Sequence, residues 1–164
     1  MITKICGIKD KKTLLCCNEN KVNFYGMIFY NKSPRNITID EAVKLQNLSK
    51  KLKINGVGVF VNEDIFDLRN YINVLELNYI QLHGDEDDGY LKEIKKFNLN
   101  NNIIKKISIR EKKDLKKIYK FKNADFFLLD YKPKANELPG GNAKSFDWEI
   151  IENFEINKPW FMSG

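Results

Sequence analysis

The chain has 164 residues, of which 43% are apolar, and this length suits one domain with one hydrophobic core. No apolar run reaches the roughly 18 residues of a membrane span, and the first residues lack the apolar stretch and cleavage site of a signal peptide, so we expect a cytoplasmic protein and no membrane partner. The formal net charge of +6 is spread over lysine pairs along the chain, a pattern that favours solvated helix faces over a nucleic-acid-binding stripe.

Short apolar or β-branched segments recur along the chain and predict strands. In chain order they are "TKIC", "FYGMIFY", "GVGVFV", "YIQLH", "IIKKISI", "DFFLLD" and "PWFMS". Segments of helical character separate them, and no Gly/Pro/Ser-rich linker interrupts the series. Two of the strands contain a glycine, Gly26 and Gly58, which we interpret as relieving barrel packing rather than leaving room for a substrate.

The starts of three predicted helices carry capping signals. Thr38 and Glu41 have the spacing of a capping box, and apolar residues follow on one helical face. We predict that Asn62 caps the next helix and that Ser145 caps a helix beginning "FDWEII".

The alternation of strands and helices predicts an α/β fold. Strands that are apolar along nearly their whole length are typical of a parallel sheet covered by helices. The first turn, "CGIKDKK", is not a GxGxxG motif and no Walker lysine motif occurs, which disfavours a doubly wound nucleotide-binding sheet. We therefore predict a TIM (β/α)8-type barrel, with seven strands and six helices in a single domain over residues 1–164, and with the eighth unit missing.

The cysteine and histidine content argues against a metal site and against a disulfide. Cys6, Cys16 and Cys17 form no CxxC pair, and two adjacent cysteines are poorly placed for a structural bridge. Because the chain has a single histidine, a zinc site lacks its usual ligands. We expect reduced thiols and no metal.

Polar residues follow several predicted strands, at the end where barrels of this type carry their chemistry. They are Cys6, Tyr30 with the loop residues Lys32, Ser33, Pro34 and Arg35 behind it, Asn62, His83 and Asp130. Strand alternation puts Cys6 on the same face as Lys4, whose ammonium would favour a reactive thiolate. Each residue also has an ordinary interpretation, as a core cysteine, a turn cap, a hydrogen-bonded histidine or a solvated arginine. The residues taken singly leave both interpretations open.

Taken together, the junction motifs resemble a known family. "KICGI", "FYNKSPRNIT", "GVGVFVN", "IQLHGDE", "LLDYKP", "GGNAKSFDW" and "FMSG" occur in this order. As an ordered set they resemble the phosphoribosylanthranilate isomerase family of tryptophan biosynthesis, over the chain from Lys4 to Gly164. The resemblance implies a (β/α)8 barrel that works without a cofactor. Its reaction is the Amadori rearrangement of N-(5'-phosphoribosyl)anthranilate to 1-(2-carboxyphenylamino)-1-deoxy-D-ribulose 5-phosphate.

The resemblance assigns two proton-transfer groups. The rearrangement needs a general acid that protonates the furanose ring oxygen and a general base that removes the proton from C2'. By resemblance Cys6 is the base and Asp130 is the acid. Because a carboxyl at the end of an apolar strand is partly desolvated, we expect the pKa of Asp130 to be raised.

The resemblance also assigns contacts to the phosphorylated substrate. Arg35 would pair with the anthranilate carboxylate, a contact suited to a planar guanidinium. His83 would line the pocket rather than act in the chemistry. Gly141 and Gly164 would offer backbone amides to the phosphate.

Two features depart from the family pattern. Asn142 and Ala143 follow "PGG" where the family usually has a small hydroxyl residue and a glycine, which weakens the case for ligand contacts by this loop. Barrels of this type run to roughly 200 residues or more. We therefore expect an eighth strand and the last helices to follow Gly164 in the intact protein, and negligible isomerase activity from these 164 residues alone.

Other functions are weighed against the isomerase. The main alternative is a truncated, inactive barrel that acts as a binding or assembly module. A neighbouring phosphate-binding barrel, such as indole-glycerol-phosphate synthase, would need its own lysine and glutamate pattern, and nucleic-acid binding comes last. Homo-oligomerisation and fusion to another tryptophan-pathway domain stay open.

Overall fold

Seven parallel strands form one sheet in the computed structural model, which describes residues 2–97, 100–132 and 145–163. The strands are β1 (Lys4–Cys6), β2 (Phe24–Phe29), β3 (Asn55–Phe60), β4 (Tyr79–Leu82), β5 (Asn102–Ile109), β6 (Phe126–Tyr131) and β7 (Trp160–Met162). Their order in the sheet follows their order in the chain, and each neighbouring pair is parallel. The predicted strand count is therefore confirmed over the described residues.

Helical segments connect the strands, as a parallel sheet requires. They are α1 (Lys11–Glu19), α2 (Ile39–Leu52), α3 (Ile65–Leu75), α4 (Asp88–Lys95) and two 3-10 helices, Lys112–Lys120 and Trp148–Ile151. The part of the chain described above thus has six helical segments, of which the last two are 3-10 rather than α. None of its helices is long and apolar enough to cross a bilayer.

The helix caps confirm one sequence prediction and correct two. Thr38 and Glu41 form the predicted capping box at the start of α2. Asn62 does not cap α3, because the helix begins later and Asp64 accepts the hydrogen bonds of its first turn. Ser145 is likewise replaced by Asp147 at the start of the second 3-10 helix. In both cases an aspartate nearer the first turn supplies the better-placed carboxylate.

The sheet is curled, so that its inner face encloses a small apolar core. This inner cluster consists of Phe24, Ile28, Val57, Val59, Ile104 and Leu128. The ring of Phe24 on β2 lies 5.7 Å from the ring of Phe161 on β7. In a flat sheet these two strands would be roughly 24 Å apart, so the contact requires strong curvature toward a barrel.

The outer face of the same strands packs against the helices and forms the larger core. Alternation along each strand separates the two cores, so that Tyr25 of β2 belongs to the outer core and its neighbour Phe24 to the inner cluster. This two-sided burial explains why the strands are apolar along nearly their whole length.

The lysine pair of β5 departs from the prediction that lysine pairs mark solvated helix faces. Lys105 and Lys106 are both buried within the strand. Lys105 points to the outer face, where it forms an ion pair with Glu86 at 2.7 Å. Lys106 lies on the opposite, inner face, because adjacent strand residues point to opposite sides.

Candidate active site

The predicted base and acid share the inner face of the sheet, near the carboxyl ends of their strands. Cys6 is the last residue of β1 and packs against the inner cluster. Asp130 follows Leu128 by two positions on β6, so it lies on the side of the inner cluster to which Leu128 belongs. The curvature of the sheet thus brings residues from the first and sixth strands to one concave face.

Gly26 leaves room for both Cys6 and Lys4. A Cβ atom added to Gly26 would lie 2.8 Å from Cys6 Sγ and 3.3 Å from Lys4 Nζ. The thiol and the ammonium therefore lie on the same side of Gly26, as alternation in β1 predicts. These close contacts agree with the packing interpretation of Gly26, since the side chains of Cys6 and Lys4 fill the space. The packing interpretation of Gly58 fits, since a Cβ there would meet apolar side chains of the core.

Arg35 reaches from the loop after β2 to the end of β1. Its Nη1 donates a hydrogen bond of 2.8 Å to the backbone carbonyl of Cys6. The side chain also crosses Gly7, where an added Cβ would lie 2.6 Å from Arg35 Cδ and where φ is +88°. Gly7 therefore serves both the turn and the passage of the arginine. Arg35, which is predicted to bind the substrate carboxylate, is therefore hydrogen-bonded to the backbone of Cys6, the predicted base.

His83 directly contacts the predicted acid. It follows β4, and its Nε2 lies 3.3 Å from Asp130 Oδ2. The other ring nitrogen, Nδ1, lies 2.8 Å from the amide nitrogen of Gln81. Asp130 Oδ1 accepts a further hydrogen bond of 2.9 Å from the backbone of Tyr131. His83 was predicted to line the pocket, and the structure adds a direct contact with Asp130.

The pKa of Asp130 is lowered, contrary to the prediction that it is raised. Burial alone would raise this pKa and is the largest single effect. The hydrogen bond from His83, the positive charge of its ring when protonated at acid pH, a hydrogen bond from the Ser163 side chain and the positive charge of Lys106 together outweigh it. The sequence shows that the carboxyl follows an apolar strand, but not which donors surround it.

The pKa of His83 is also lowered, chiefly because the ring is buried. The positive charges of Lys106 and Lys4 act in the same direction, whereas the hydrogen bond to Asp130 and its negative charge oppose the shift. We therefore describe the pair near neutral pH as a neutral imidazole beside a carboxylate.

Lys106 is a member of the site that the sequence analysis missed. Burial lowers the pKa of its ammonium, and the negative charge of Asp130 opposes that shift. Strand alternation places Lys106 on the same face as Ile104, which belongs to the inner cluster. This residue was missed because the lysine pairs were interpreted as solvated.

Asn62, although it follows a strand, lies in the scaffold rather than with the other candidate residues. Its Oδ1 accepts a hydrogen bond of 2.7 Å from the backbone of Asp85, and its backbone N–H donates one of 2.7 Å to Glu86. Asn62 therefore joins the loops that follow β3 and β4. Gly141 and Gly164 lie outside the described residues, so their phosphate contacts stay predictions.

The arrangement is suited to proton transfer. A thiol beside an ammonium and a carboxylate beside an imidazole offer a base and an acid on one concave surface. Within residues 2–97, 100–132 and 145–163, no group of three His, Cys, Asp or Glu side chains is close enough to hold a metal ion.

Comparisons with known proteins agree on one family. The family model described as N-(5'phosphoribosyl)anthranilate (PRA) isomerase matches residues 3–164. A curated N-(5'-phosphoribosyl)anthranilate isomerase from Thermoanaerobacter sp. (strain X514) is 38% identical over 161 residues, which are 98% of this chain and 75% of the relative. The protein of the same name from Sinorhizobium medicae (strain WSM419) is 39% identical over 164 residues, with the same coverage.

Solved structures agree with the sequence relatives. The phosphoribosyl anthranilate isomerase of Thermotoga maritima superposes with a TM-score of 0.85 at 28% identity, over 100% of this chain and 77% of that chain. A second solved isomerase, in complex with reduced 1-(o-carboxyphenylamino)-1-deoxyribulose 5-phosphate, gives a TM-score of 0.75 at 27% identity, over 92% of this chain and 69% of that chain. The predicted TIM-barrel type of fold is confirmed.

Proposed function

Because the chain belongs to the N-(5'-phosphoribosyl)anthranilate isomerase family, and is thus an isomerase of tryptophan biosynthesis, we propose that Cys6 and Asp130 supply the base and the acid of its reaction. The observation that carries this proposal is their shared position on the inner face, where Cys6 lies near Lys4 and Asp130 contacts His83. The substrate is a small phosphorylated molecule, N-(5'-phosphoribosyl)anthranilate.

The acid step opens the sugar ring. Asp130 donates a proton to the furanose oxygen, the bond between C1' and that oxygen breaks, and the nitrogen lone pair forms the double bond of a Schiff base. Asp130 must therefore be protonated when substrate is bound, although its pKa is lowered in the ligand-free protein. The substrate brings a carboxylate and a phosphate, and negative charge near a carboxyl raises its pKa. Binding thus favours the protonated acid.

The base step moves the double bond. Cys6 removes the proton from C2', the electron pair forms the bond between C1' and C2', and the Schiff-base nitrogen recovers its lone pair in an enolamine. The position of Cys6 supports this role, because the thiol ends β1 on the inner face, next to the ammonium of Lys4.

Arg35 would orient the aromatic end of the substrate. A guanidinium has five N–H donors, and the bond to the Cys6 carbonyl uses one on Nη1. The remaining donors suit a carboxylate, so substrate binding and the position of the base are connected through one side chain. Backbone amides of Gly141 and Gly164 are the proposed phosphate contacts.

Kinetics of Cys6→Ala and Asp130→Asn test the assignment. Loss of a general acid or base lowers kcat by about 10² to 10⁴-fold. We expect kcat of each variant to decrease by at least about 10²-fold. The assay follows loss of substrate fluorescence with the protein as its gene encodes it, and circular dichroism checks the fold.

Cys16→Ala is the matched control, because Cys16 is an exposed cysteine on α1. It should leave kcat unchanged. Turnover near that of the parent protein in Cys6→Ala or in Asp130→Asn would refute the corresponding role.

A further inference from the structure

Gln81 is a buried polar residue that the proposed chemistry does not use. It lies on β4 and is only 1% exposed. Its Nε2 lies 2.8 Å from Nδ1 of His83, whereas its Oε1 is buried without a hydrogen-bond partner among the described residues. A buried amide oxygen left unpaired costs about 1 to 3 kcal/mol. The single hydrogen bond of this side chain is therefore directed at His83.

The direction of that hydrogen bond determines the form of the imidazole. An amide nitrogen only donates hydrogen bonds, so with the amide nitrogen of Gln81 toward the ring, Nδ1 of His83 accepts and carries no proton. The proton of a neutral ring then lies on Nε2, which faces Asp130 Oδ2 at 3.3 Å. An imidazolium would place an N–H against the NH₂ of Gln81, which is a donor facing a donor.

The neutral form of His83 matters for the proposed acid. A charged imidazolium in contact with a carboxyl favours the carboxylate, so it would oppose the protonation that Asp130 needs. A neutral ring still donates its Nε2–H and orients the carboxyl, but it adds no full positive charge. This step rests on the proposed role of Asp130.

We propose that Gln81 is a positioning residue that holds His83 as the neutral Nε2–H tautomer and thereby allows Asp130 to act as the acid. Charged groups from three strands act electrostatically on the same ring: Lys4 of β1, Lys106 of β5 and Asp130 of β6. The two lysines also disfavour the imidazolium, and Asp130 favours it. Gln81 differs from them in acting through the direction of a hydrogen bond.

The ring can be measured directly, because His83 is the only histidine among these 164 residues and its signals can be assigned by comparison with His83→Gln. In protein labelled with ¹⁵N-histidine, the shifts of the two ring nitrogens report the tautomer and the charge of this one ring. We expect the neutral Nε2–H form at pH 7. An Nδ1–H tautomer or an imidazolium at this pH would overturn the proposal, since either would require the amide of Gln81 to be turned round.

Two variants separate the hydrogen bond from packing. Gln81→Glu puts an acceptor opposite Nδ1, so His83 should become an imidazolium near pH 7, and kcat should fall by at least about tenfold. Gln81→Met removes the donor, so the ring should show a mixture of tautomers. An unchanged histidine titration in Gln81→Glu would also overturn the proposal.

Gln46→Met is the matched control. Gln46 is a buried glutamine of the outer core, where it accepts a hydrogen bond of 2.9 Å from the Tyr25 hydroxyl. Its loss should lower stability and leave the titration of His83 unchanged. Failure of the acid assignment would be recognised separately, because turnover in Asp130→Asn would refute that role while the measured tautomer could still be Nε2–H.

Discussion

The adjacent lysines of β5, Lys105 and Lys106, are both buried, but their environments differ between the two faces of the sheet. On the outer face, Lys105 donates to Glu86 at 2.7 Å and to the Gly84 carbonyl at 2.8 Å, and both side chains of the ion pair are 2% exposed. Glu86 also accepts from the backbone of Asn62 and of Gly84. On the inner face, Lys106 has a pKa lowered mainly by burial.

The difference separates a scaffold from a reactive surface. The outer ion pair combines opposite charges with hydrogen bonds, and it joins β5 to the loops that follow β3 and β4. Because His83 is in the second of these loops, the ion pair helps to fix the histidine. The inner face instead gathers groups with lowered pKa values, His83, Lys106 and Asp130, which is typical of catalytic sites.

Breaking the outer ion pair should have the largest effect on stability. Lys105→Met leaves Glu86 buried without its partner charge, and removing one member of a buried pair costs about 3 to 5 kcal/mol of the free energy of unfolding. Urea unfolding measures this loss. The double variant Lys105→Met with Glu86→Gln should recover much of it, since the amide oxygen can still accept from the backbone.

Lys106→Met provides the contrast within the same strand. Because the pKa of Lys106 is lowered by burial, the fold disfavours its charge, and a neutral side chain removes that cost. We expect a much smaller loss of stability than for Lys105→Met. Equal losses for the two variants would contradict the separation of the two faces.

Glycine substitutions test the same contrast by volume. Gly26→Ala would place a Cβ 2.8 Å from the thiol of Cys6, so the thiol must move, and we expect kcat to fall by about 10²-fold. Gly58→Ala would overpack the outer core, because the added Cβ would lie 2.7 Å from side-chain atoms of Phe60 and of Leu77. It should cost about 1 to 3 kcal/mol of stability. A large loss of stability with normal kcat in Gly26→Ala would show that its space serves packing.

A charge-conserving change at Arg35 should have a moderate effect on binding. Arg35→Lys keeps the positive charge but loses the planar fork that holds both the Cys6 carbonyl and a carboxylate. We expect KM to rise by about tenfold, which corresponds to about 1.4 kcal/mol. A KM equal to that of the parent protein would show that Arg35 does not bind the substrate carboxylate.

The smallest expected effect is the pH dependence of stability that arises from the inner face. The pKa of His83 lies below its ordinary value of 6.5, so between these two values the unfolded chain binds more protons and acid favours unfolding. Stability should therefore decrease as the pH falls below 6.5. Because the pKa of Asp130 is also lowered, from 3.8, a second decrease should follow at lower pH.

His83→Gln isolates the first of these decreases. This variant removes the ring whose pKa is lowered, so the loss of stability that begins below pH 6.5 should disappear. The decrease from Asp130 should become smaller, because His83 is the first of the groups that lower the pKa of Asp130. Unfolding curves measured at several pH values compare the two proteins. If the free energy of unfolding of His83→Gln still decreased just below pH 6.5 as in the parent protein, His83 would not be the titrating group.

The residues of the chain by themselves determined the sequence of elements. Short apolar or β-branched runs mark the strands and a capping box marks α2, because both signals are local and depend only on neighbours in the chain. The same local order put Cys6, His83 and Asp130 at strand ends, and with the ordered junction motifs it led to the family. The helix caps at Asn62 and Ser145 failed because a better-placed aspartate stood two residues further along each time.

Only the tertiary structure decided which of these groups meet. The contacts of His83 with Asp130 and of Arg35 with the Cys6 carbonyl join residues from different strands, and they depend on register and on the curvature of the sheet. Burial of Asp130 was predictable from its apolar strand, but the sign of its pKa shift depends on donors that other strands supply. A linear pattern fixes the face on which a side chain lies, whereas its partners across that face are fixed by long-range packing.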